Sequence, residues 1–207
     1  GEYTGHYTPA NPKPVVRVRC VTHRRDPIVW GTTHGKPITD GHAICTVNRS
    51  AGIWYELNRL GLPGLQGVYC PEAAGAYFVT VVSIRQRYPG HGRHAGHAVY
   101  ATPSGNYANK LVIVVDDDID PSNMDEVWWA VATRFQPSRD SVVWEGGTGT
   151  PLDPSIPAGE KPLTSRMILD ATRPYPLERG EEVVSLTPEV VERVKAKWGE
   201  YFPPDAR

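Results

Sequence analysis

Two continuous apolar runs constrain the fold of this chain most, because a strand that is apolar throughout must be covered on both faces. AYFVTVVSI begins at residue 76 and KLVIVV begins at residue 110. A segment with helical spacing follows each run, GHGRHAGHAVYAT after the first and MDEVWWAVATRF after the second. The second helix leads to a third short run, DSVVWEG. This alternation predicts an α/β fold with parallel strands near residues 78–83, 111–115 and 141–144 and helices packed on the sheet.

The first sixty residues are patterned differently. PVVRVRCVT at residues 14–22 alternates apolar and polar side chains, which is typical of a half-buried strand, and DPIVWGTT at 26–33 is predicted to be its hairpin partner or continuation. TDGHAICTVNRSAGIWYELNRLG then takes up helical spacing and ends at Gly61. Ser122 and Asp125 have the spacing of a helix start before the MDEVWWAVATRF helix.

The last sixty residues are predicted to form a loop and a terminal helix. Residues 146–164 contain too many glycines and prolines for regular structure. TPEVVERVKAKWGEYF has Thr187 as its cap and Pro188 at its first helical position. Its apolar stripe is expected to dock on a neighbour and contains Val190, Val191, Val194, Trp198 and Phe202.

Charge and composition exclude several classes of function. A formal net charge of −1 over 207 residues gives no electrostatic footprint for nucleic acid. No apolar run reaches the 18 residues of a membrane span. Cys20, Cys45 and Cys70 are odd in number and widely spaced, which argues against a disulfide framework and favours a reducing cytoplasm.

Two polar clusters each allow two interpretations. DDDID, at the end of the second apolar run, lies where open parallel sheets bind ligands and would suit a metal or a ribose. We favour the alternative that these aspartates cap nearby amides, because no glycine-rich phosphate loop accompanies them. His91, His94 and His97 have a spacing that can bind zinc or nickel. On a helix, however, such positions rotate around the axis, so ordinary surface or interface roles are favoured.

Glu2 is a candidate general acid or base, since burial can tune a glutamate toward neutral pH. From the residue type alone, a solvated terminal carboxylate is the favoured interpretation.

Six stretches in one order resemble the UbiD-type decarboxylases, a family that depends on prenylated FMN. They are GEYTGHY, VTHRRDPI, VVSIRQRYPGH, KLVIVVDDDID, DEVWWAVATRFQPSRDSVV and SRMILDATRP, and they extend from Gly1 to about Pro174. The resemblance implies reversible (de)carboxylation of aromatic, heteroaromatic or α,β-unsaturated acids. It also implies prenylated FMN held with Mn²⁺ or Mg²⁺ and with K⁺.

In that family the Gly-Glu pair closes a longer motif that follows a split-barrel flavin domain, and this chain contains only the end of that motif. The resemblance therefore implies that most cofactor and metal ligands belong to a missing N-terminal half or partner chain. Residues 1–65 are expected to be the end of the flavin domain with a connecting helix, 66–180 an α/β domain, and 181–207 an assembly helix. A homodimer or homohexamer is implied as well.

The resemblance also assigns roles to four residues. Glu2 matches the acidic residue that transfers a proton to the substrate, and Lys110 matches a lysine that reaches the cofactor phosphate. His42 stands where some phenolic-acid members have a substrate-facing histidine, although a helix-start role is an equal alternative. Arg139 matches a position whose backbone is linked to the potassium site. A rival hypothesis is a non-catalytic subunit that keeps the fold and the oligomer contacts without the flavin site.

Overall fold

The computed structural model of the chain describes residues 1–157, 159–176 and 183–202. The chain divides into two units, Gly1–Pro176 and residues 177–207, of which the first contains the sheet. None of the helices within the described ranges combines the length and the apolar character that spanning a bilayer requires.

A five-stranded sheet forms the centre of the first unit. Its strands are β1 (Leu65–Tyr69), β2 (Val79–Ile84), β3 (Leu111–Asp116), β4 (Ser141–Thr148) and β5 (Leu163–Asp170), in the spatial order β1-β2-β3-β5-β4. Strands β2, β3 and β5 are parallel, whereas β1 and β4 run antiparallel to their neighbours. The α/β prediction is confirmed.

The third parallel strand is not the one that the sequence predicted. Residues 141–144 lie in β4, an antiparallel edge strand, and β5 takes the parallel position beside β3. The predicted loop links β4 directly to β5 without a crossover helix, and such a connection joins antiparallel neighbours. The prediction of a parallel strand at 141–144 was therefore wrong.

Helices cover both faces of the sheet. Along the chain they are α1 (Asp40–Leu60), α2 (His91–Ala101), α3 (Pro103–Asn106), α4 (Met124–Arg134) and α5 (Pro137–Asp140). Alternate residues of each central strand serve opposite faces: Val112 and Val114 pack with α1 and α2, while Ile113 packs with α4. This two-sided core accounts for the unbroken apolar runs in the sequence.

Helix α1 begins and ends close to the predicted residues, with Gly61 as a left-handed C-cap. Its buried face contains Ile53 and Leu57. Near its far end, Glu56 accepts hydrogen bonds from the backbone N–H and the hydroxyl of Ser104 in α3. Helix α4 begins one residue later than predicted, because Asn123 rather than Ser122 accepts the amides of its first turn.

Residues 7–33 contain no helix or strand, so the predicted strands at 14–22 and 26–33 are not formed. Their apolar side chains are exposed: Val15, Val16, Ile28, Val29 and Trp30. A strand is stabilised by hydrogen bonds to a neighbouring strand and by one covered face. The described residues provide neither for this segment.

In the second unit the predicted terminal helix is present in two pieces, α6 (Pro188–Ala196) and α7 (Trp198–Tyr201). Pro188 occupies the first turn as predicted, but the Thr187 side chain makes no capping hydrogen bond. Trp198 and Phe202 are more than half exposed.

Candidate functional site

A tight turn of residues 2–6 holds Glu2. The Glu2 amide donates to the carbonyl of His6 at 3.0 Å, and the Gly5 amide donates to the carbonyl of Glu2 at 2.9 Å. Gly5 has φ +80, and a Cβ there would lie 2.8 Å from the Lys36 Cα. Both the positive φ and the close approach therefore require glycine at this position.

The aromatic ring of Tyr3 anchors this turn to the first unit. It lies 4.7 Å from the ring of Tyr77 and 5.9 Å from that of Phe78, between ring centroids. Gly75 lies against the same ring. Burial raises the pKa of Tyr3 to about 12. Tyr3 is therefore neutral at physiological pH and acts as an apolar anchor directly beside Glu2.

His42 connects the turn to helix α1. Its ring is buried, and Nδ1 accepts the backbone N–H of Thr39, the N-cap residue, at 3.0 Å. An amide nitrogen can only donate, so Nδ1 carries the lone pair and Nε2 carries the proton. Nε2 lies 2.6 Å from the carbonyl oxygen of Tyr3 and donates to it. Both ring nitrogens thus bind protein groups, an arrangement that agrees with the helix-start alternative.

The Glu2 side chain is only partly buried, and its carboxylate has no hydrogen-bond or ion-pair partner within residues 1–157, 159–176 and 183–202. The backbone of Glu2 is thus fixed while its carboxylate remains available to an incoming group. That combination suits a residue that must deliver a proton at a defined point.

Lys110 precedes β3 and therefore lies at the end of the sheet where the parallel strands begin, which is also the end that contacts Tyr3 through Phe78. Its Nζ is 4.8 Å from the ring centroid of Phe78, whose other neighbour is Tyr3. Nζ also donates to Asp153 at 2.7 Å and to Ser155 at 2.8 Å. Burial alone would raise the pKa of Asp153, but hydrogen bonds from Lys110 and Ser155 outweigh it and hold that pKa below its usual value.

Arg139 lies at the opposite end of the sheet. It belongs to α5, just before Ser141, which pairs with Leu169 near the end of β5. Its guanidinium contacts Asp140, and its carbonyl accepts a hydrogen bond from Arg93. The structure therefore brings together Glu2, His42 and Lys110 but separates Arg139 from them.

The DDDID aspartates bind arginines and backbone amides. Buried Asp116 accepts from Arg134 and from the side chain and amide of Arg173, while Asp118 accepts from Arg134. Asp120 caps the amide and hydroxyl of Ser122. The contacts with the Ser122 and Arg173 amides agree with the favoured capping interpretation, whereas the pairing with arginine side chains was not predicted.

The three histidines of α2 have separate partners. His91 is buried and accepts the Arg87 amide, the Nδ1 of His94 lies 2.6 Å from the Tyr88 hydroxyl, and His97 stacks on Trp144. Across the described residues, no group of three or more histidine, cysteine, aspartate or glutamate side chains is arranged to hold a metal ion.

Sequence reasoning missed the partners that fix these groups. Asp153 lies 43 residues after Lys110 in a loop whose composition indicated only irregular structure, and the Tyr3 carbonyl is a backbone atom with no signature in the sequence. The Thr39–His42 spacing was the one available signal, since a polar side chain three residues after a threonine indicates a capping box.

The residues present fit a phosphate group but not a metal. Lys110 uses two of its three ammonium donors and lines an open cavity of about 280 Å³. The other polar residues of that cavity are Ser155, Thr164, Ser165 and Glu160, of which only Glu160 would repel a phosphate. A cation at the Arg139 carbonyl would have to displace the guanidinium of Arg93. The described residues thus offer one contact for a cofactor phosphate and no ligand set for a divalent ion.

Two family profiles match the chain in sequence order. Residues 1–37 match the UbiD profile described as 3-octaprenyl-4-hydroxybenzoate carboxy-lyase Rift-related domain. Residues 42–171 match the UbiD_C profile, described as the C-terminal domain of the same carboxy-lyase.

This chain spans between 33% and 38% of the length of the three similar proteins described next. A phenolic acid decarboxylase of Bacillus subtilis (strain 168) is 35% identical over 182 residues, which are 87% of this chain and 37% of that protein. The closed form of Sedimentibacter hydroxybenzoicus vanillic acid decarboxylase superposes with a TM-score of 0.70 at 30% identity, covering 88% of this chain and 38% of the other. The enzyme HmfF of Pelotomaculum thermopropionicum, in complex with FMN, superposes with a TM-score of 0.65 at 29% sequence identity. The match covers 73% of this chain and 33% of HmfF.

Proposed function

Because the chain belongs to the UbiD family of carboxy-lyases, we propose that it is the C-terminal part of a reversible decarboxylase. Its substrates would be aromatic, heteroaromatic or α,β-unsaturated carboxylic acids. The similar phenolic acid and vanillic acid decarboxylases support this substrate class. The observation that carries the proposal is the Glu2 carboxylate, which stands on a fixed backbone with no partner among the described residues.

In this proposal Glu2 is the general acid. Decarboxylation leaves an electron pair on the substrate carbon, and that carbon must receive a proton before the product can leave. Prenylated FMN, when bound, supplies the electron-accepting system that makes loss of carbon dioxide possible. The turn of residues 2–6 presents the proton donor, and Tyr3 and His42 hold that turn in place.

Lys110 is proposed to bind the cofactor phosphate. Its Nζ is held by Asp153 and Ser155 and keeps one donor for a phosphate oxygen. The flavin ring and the Mn²⁺ or Mg²⁺ and K⁺ ions are proposed to bind the upstream half. A potassium site at the Arg139 backbone stays a prediction. It is disfavoured because the Arg93 guanidinium already donates to the Arg139 carbonyl.

Residues 7–33 are proposed to pair with that upstream half. Their apolar side chains are exposed, and residues 1–37 match a Rift-related domain. Pairing would supply the neighbouring strands that the patterns at 14–22 and 26–33 require.

The proposal is tested with a protein that contains the upstream half together with this chain. It should bind a flavin, detected by visible absorbance, and release carbon dioxide from a phenolic or unsaturated acid. A protein that binds flavin but decarboxylates no acid from the three classes contradicts the substrate proposal. A protein that binds no flavin in this form supports the rival hypothesis of a non-catalytic subunit.

A further inference from the structure

The bond between His42 and Tyr3 joins the two parts of the chain that match different domains. Tyr3 lies in the Rift-related match at residues 1–37, and His42 is the first residue of the C-terminal match. His42 is 2% exposed, so its ring is shielded from water. A short hydrogen bond of 2.6 Å in such a setting constrains the Tyr3 carbonyl strongly.

The Tyr3 carbonyl belongs to the Tyr3–Thr4 peptide unit, one residue beyond the peptide bond that joins Glu2 to Tyr3. The bond to this carbonyl and the packing of the Tyr3 ring together fix the residue that follows Glu2 in the chain. Glu2 is thereby held through its neighbour, without any contact to its own carboxylate among the described residues.

We propose that His42 is a positioning residue, which aims Glu2 by holding the Tyr3 carbonyl, and that it does not itself contact substrate. This inference rests on the proposed function of Glu2. It differs from the substrate-facing role because Nδ1 is committed to the Thr39 amide and the Nε2 proton to Tyr3. A substrate would have to break one of these buried bonds to reach the ring.

Two substitutions test the two hydrogen bonds of the His42 ring separately. In His42→Asn the side-chain oxygen lies near the place of Nδ1 and can accept the Thr39 amide, but nothing reaches the Tyr3 carbonyl. In His42→Gln the amide NH₂ lies near the place of Nε2 and can donate to Tyr3, while the helix loses its cap acceptor. The first variant removes the link to Glu2, and the second removes mainly helix stability.

The kinetic test uses the protein with its upstream half. We expect His42→Asn, measured well below its thermal midpoint, to lower kcat by about 100-fold with KM and flavin content close to wild type, since a displacement of about 1 Å costs that much. His42→Gln should keep most of kcat and lower the thermal midpoint. The double variant His42→Asn/Glu2→Gln should be no slower than Glu2→Gln. A rise in KM for both variants, or a kcat that follows the thermal midpoint, overturns the proposal.

A second readout does not depend on catalysis. The amides of Glu2 and Gly5 are hydrogen-bonded within the turn, so His42→Asn should accelerate their exchange with solvent, whereas His42→Gln should leave it near the wild-type rate. Equal exchange in all three proteins overturns the restraint of Tyr3. If no acid is decarboxylated but exchange changes as expected, the proposed function fails while the restraint stands.

Discussion

Lys110 and Arg139 lie at opposite ends of the central sheet. Lys110 is level with Arg166 at the start of the parallel pair β3–β5, whereas Ser141, two residues after Arg139, pairs with Leu169. The three residues between those levels correspond to about 10 Å along a strand. Lys110 and the segment that carries Arg139 therefore lie at different levels along the strands of the sheet.

Lys110→Met should weaken flavin binding by about ten- to a hundredfold, the usual value of a hydrogen bond to a charged group. The measurement is flavin titration of the protein that includes its upstream half. Lys161→Met is the matched control, because Lys161 is exposed nearby. The variant leaves Asp153 buried without its cation, so Lys110→Met/Asp153→Asn is measured too. Unchanged affinity in both would remove Lys110 from the cofactor site.

Glu2→Gln should lower turnover by about a hundredfold or more, because the amide keeps the shape of the side chain but has no acidic proton to deliver. Flavin binding should be unchanged, since Glu2 is not expected to grip the phosphate. Glu145→Gln is the control, as Glu145 is an exposed residue of β4. Full activity of Glu2→Gln would exclude Glu2 from proton transfer. The similarity to the decarboxylases would then concern only the fold.

Asp170 gives a pH-dependent prediction. Burial raises its pKa above the ordinary 3.8, so the folded chain keeps a proton that the unfolded chain releases as pH rises through that value. Stability should therefore fall as pH rises from 3.8 to the folded pKa and stay lower above it. Asp170→Asn should raise the thermal midpoint at neutral pH, with the gain vanishing below pH 3.8.

Asp153→Asn should change stability in the opposite direction to Asp170→Asn, because the pKa of Asp153 is lowered in the folded chain. It should destabilise the chain at neutral pH, with the loss disappearing only as pH falls through that lowered pKa. A gain for Asp170→Asn that persists at low pH would mean that relief of its buried charge is not the cause.

Leu57→Ala should lower the free energy of unfolding by about 2–5 kcal/mol, because Leu57 is fully buried between α1 and the sheet. Leu60→Ala, on the same helix but 58% exposed, should change it by less than about 0.5 kcal/mol. Denaturant unfolding followed by circular dichroism gives both values. Similar costs at the two positions would contradict the orientation of α1.

The protein should form at least a dimer. Val191, Val194 and Trp198 are apolar residues of the terminal helices, and Trp198 is 55% exposed, as is typical of an interface. Light scattering at micromolar concentration is the measurement, with Trp198→Lys expected to shift the protein toward monomer. A clean wild-type monomer would contradict this.

The sequence predicted those parts of the fold that depend on local pattern. Periodicity and single residues predict the runs of β2 and β3, the end of α1 at Gly61 and the extent of α4. All of these are confirmed within a few residues. The direction of β4 does not follow from its own residues, because it depends on β5 as a partner. The alternation in residues 14–22 predicted a strand that the described structure does not form, because a strand also depends on neighbouring strands that its own residues do not specify.

The candidate site was predictable only in part. The resemblance supplied four candidate residues: Glu2, His42, Lys110 and Arg139. Their positions in the sequence do not indicate which of them lie close together in the folded chain. The grouping of Glu2 with His42 depends on a side chain that reaches a backbone carbonyl 39 residues away. Contacts of that kind become visible only when the chain has folded.

Helix α1 also couples Glu2 mechanically to the far side of the domain. Its 21 residues form a stiff rod about 30 Å long, held at one end to Tyr3 through His42 and near the other to α3 through Glu56. A tilt of about 5° around the far end would displace the first turn by roughly 2–3 Å over that length. A tilt of that size would therefore move the His42–Tyr3 contact, and with it the turn that carries Glu2, by about the length of a hydrogen bond.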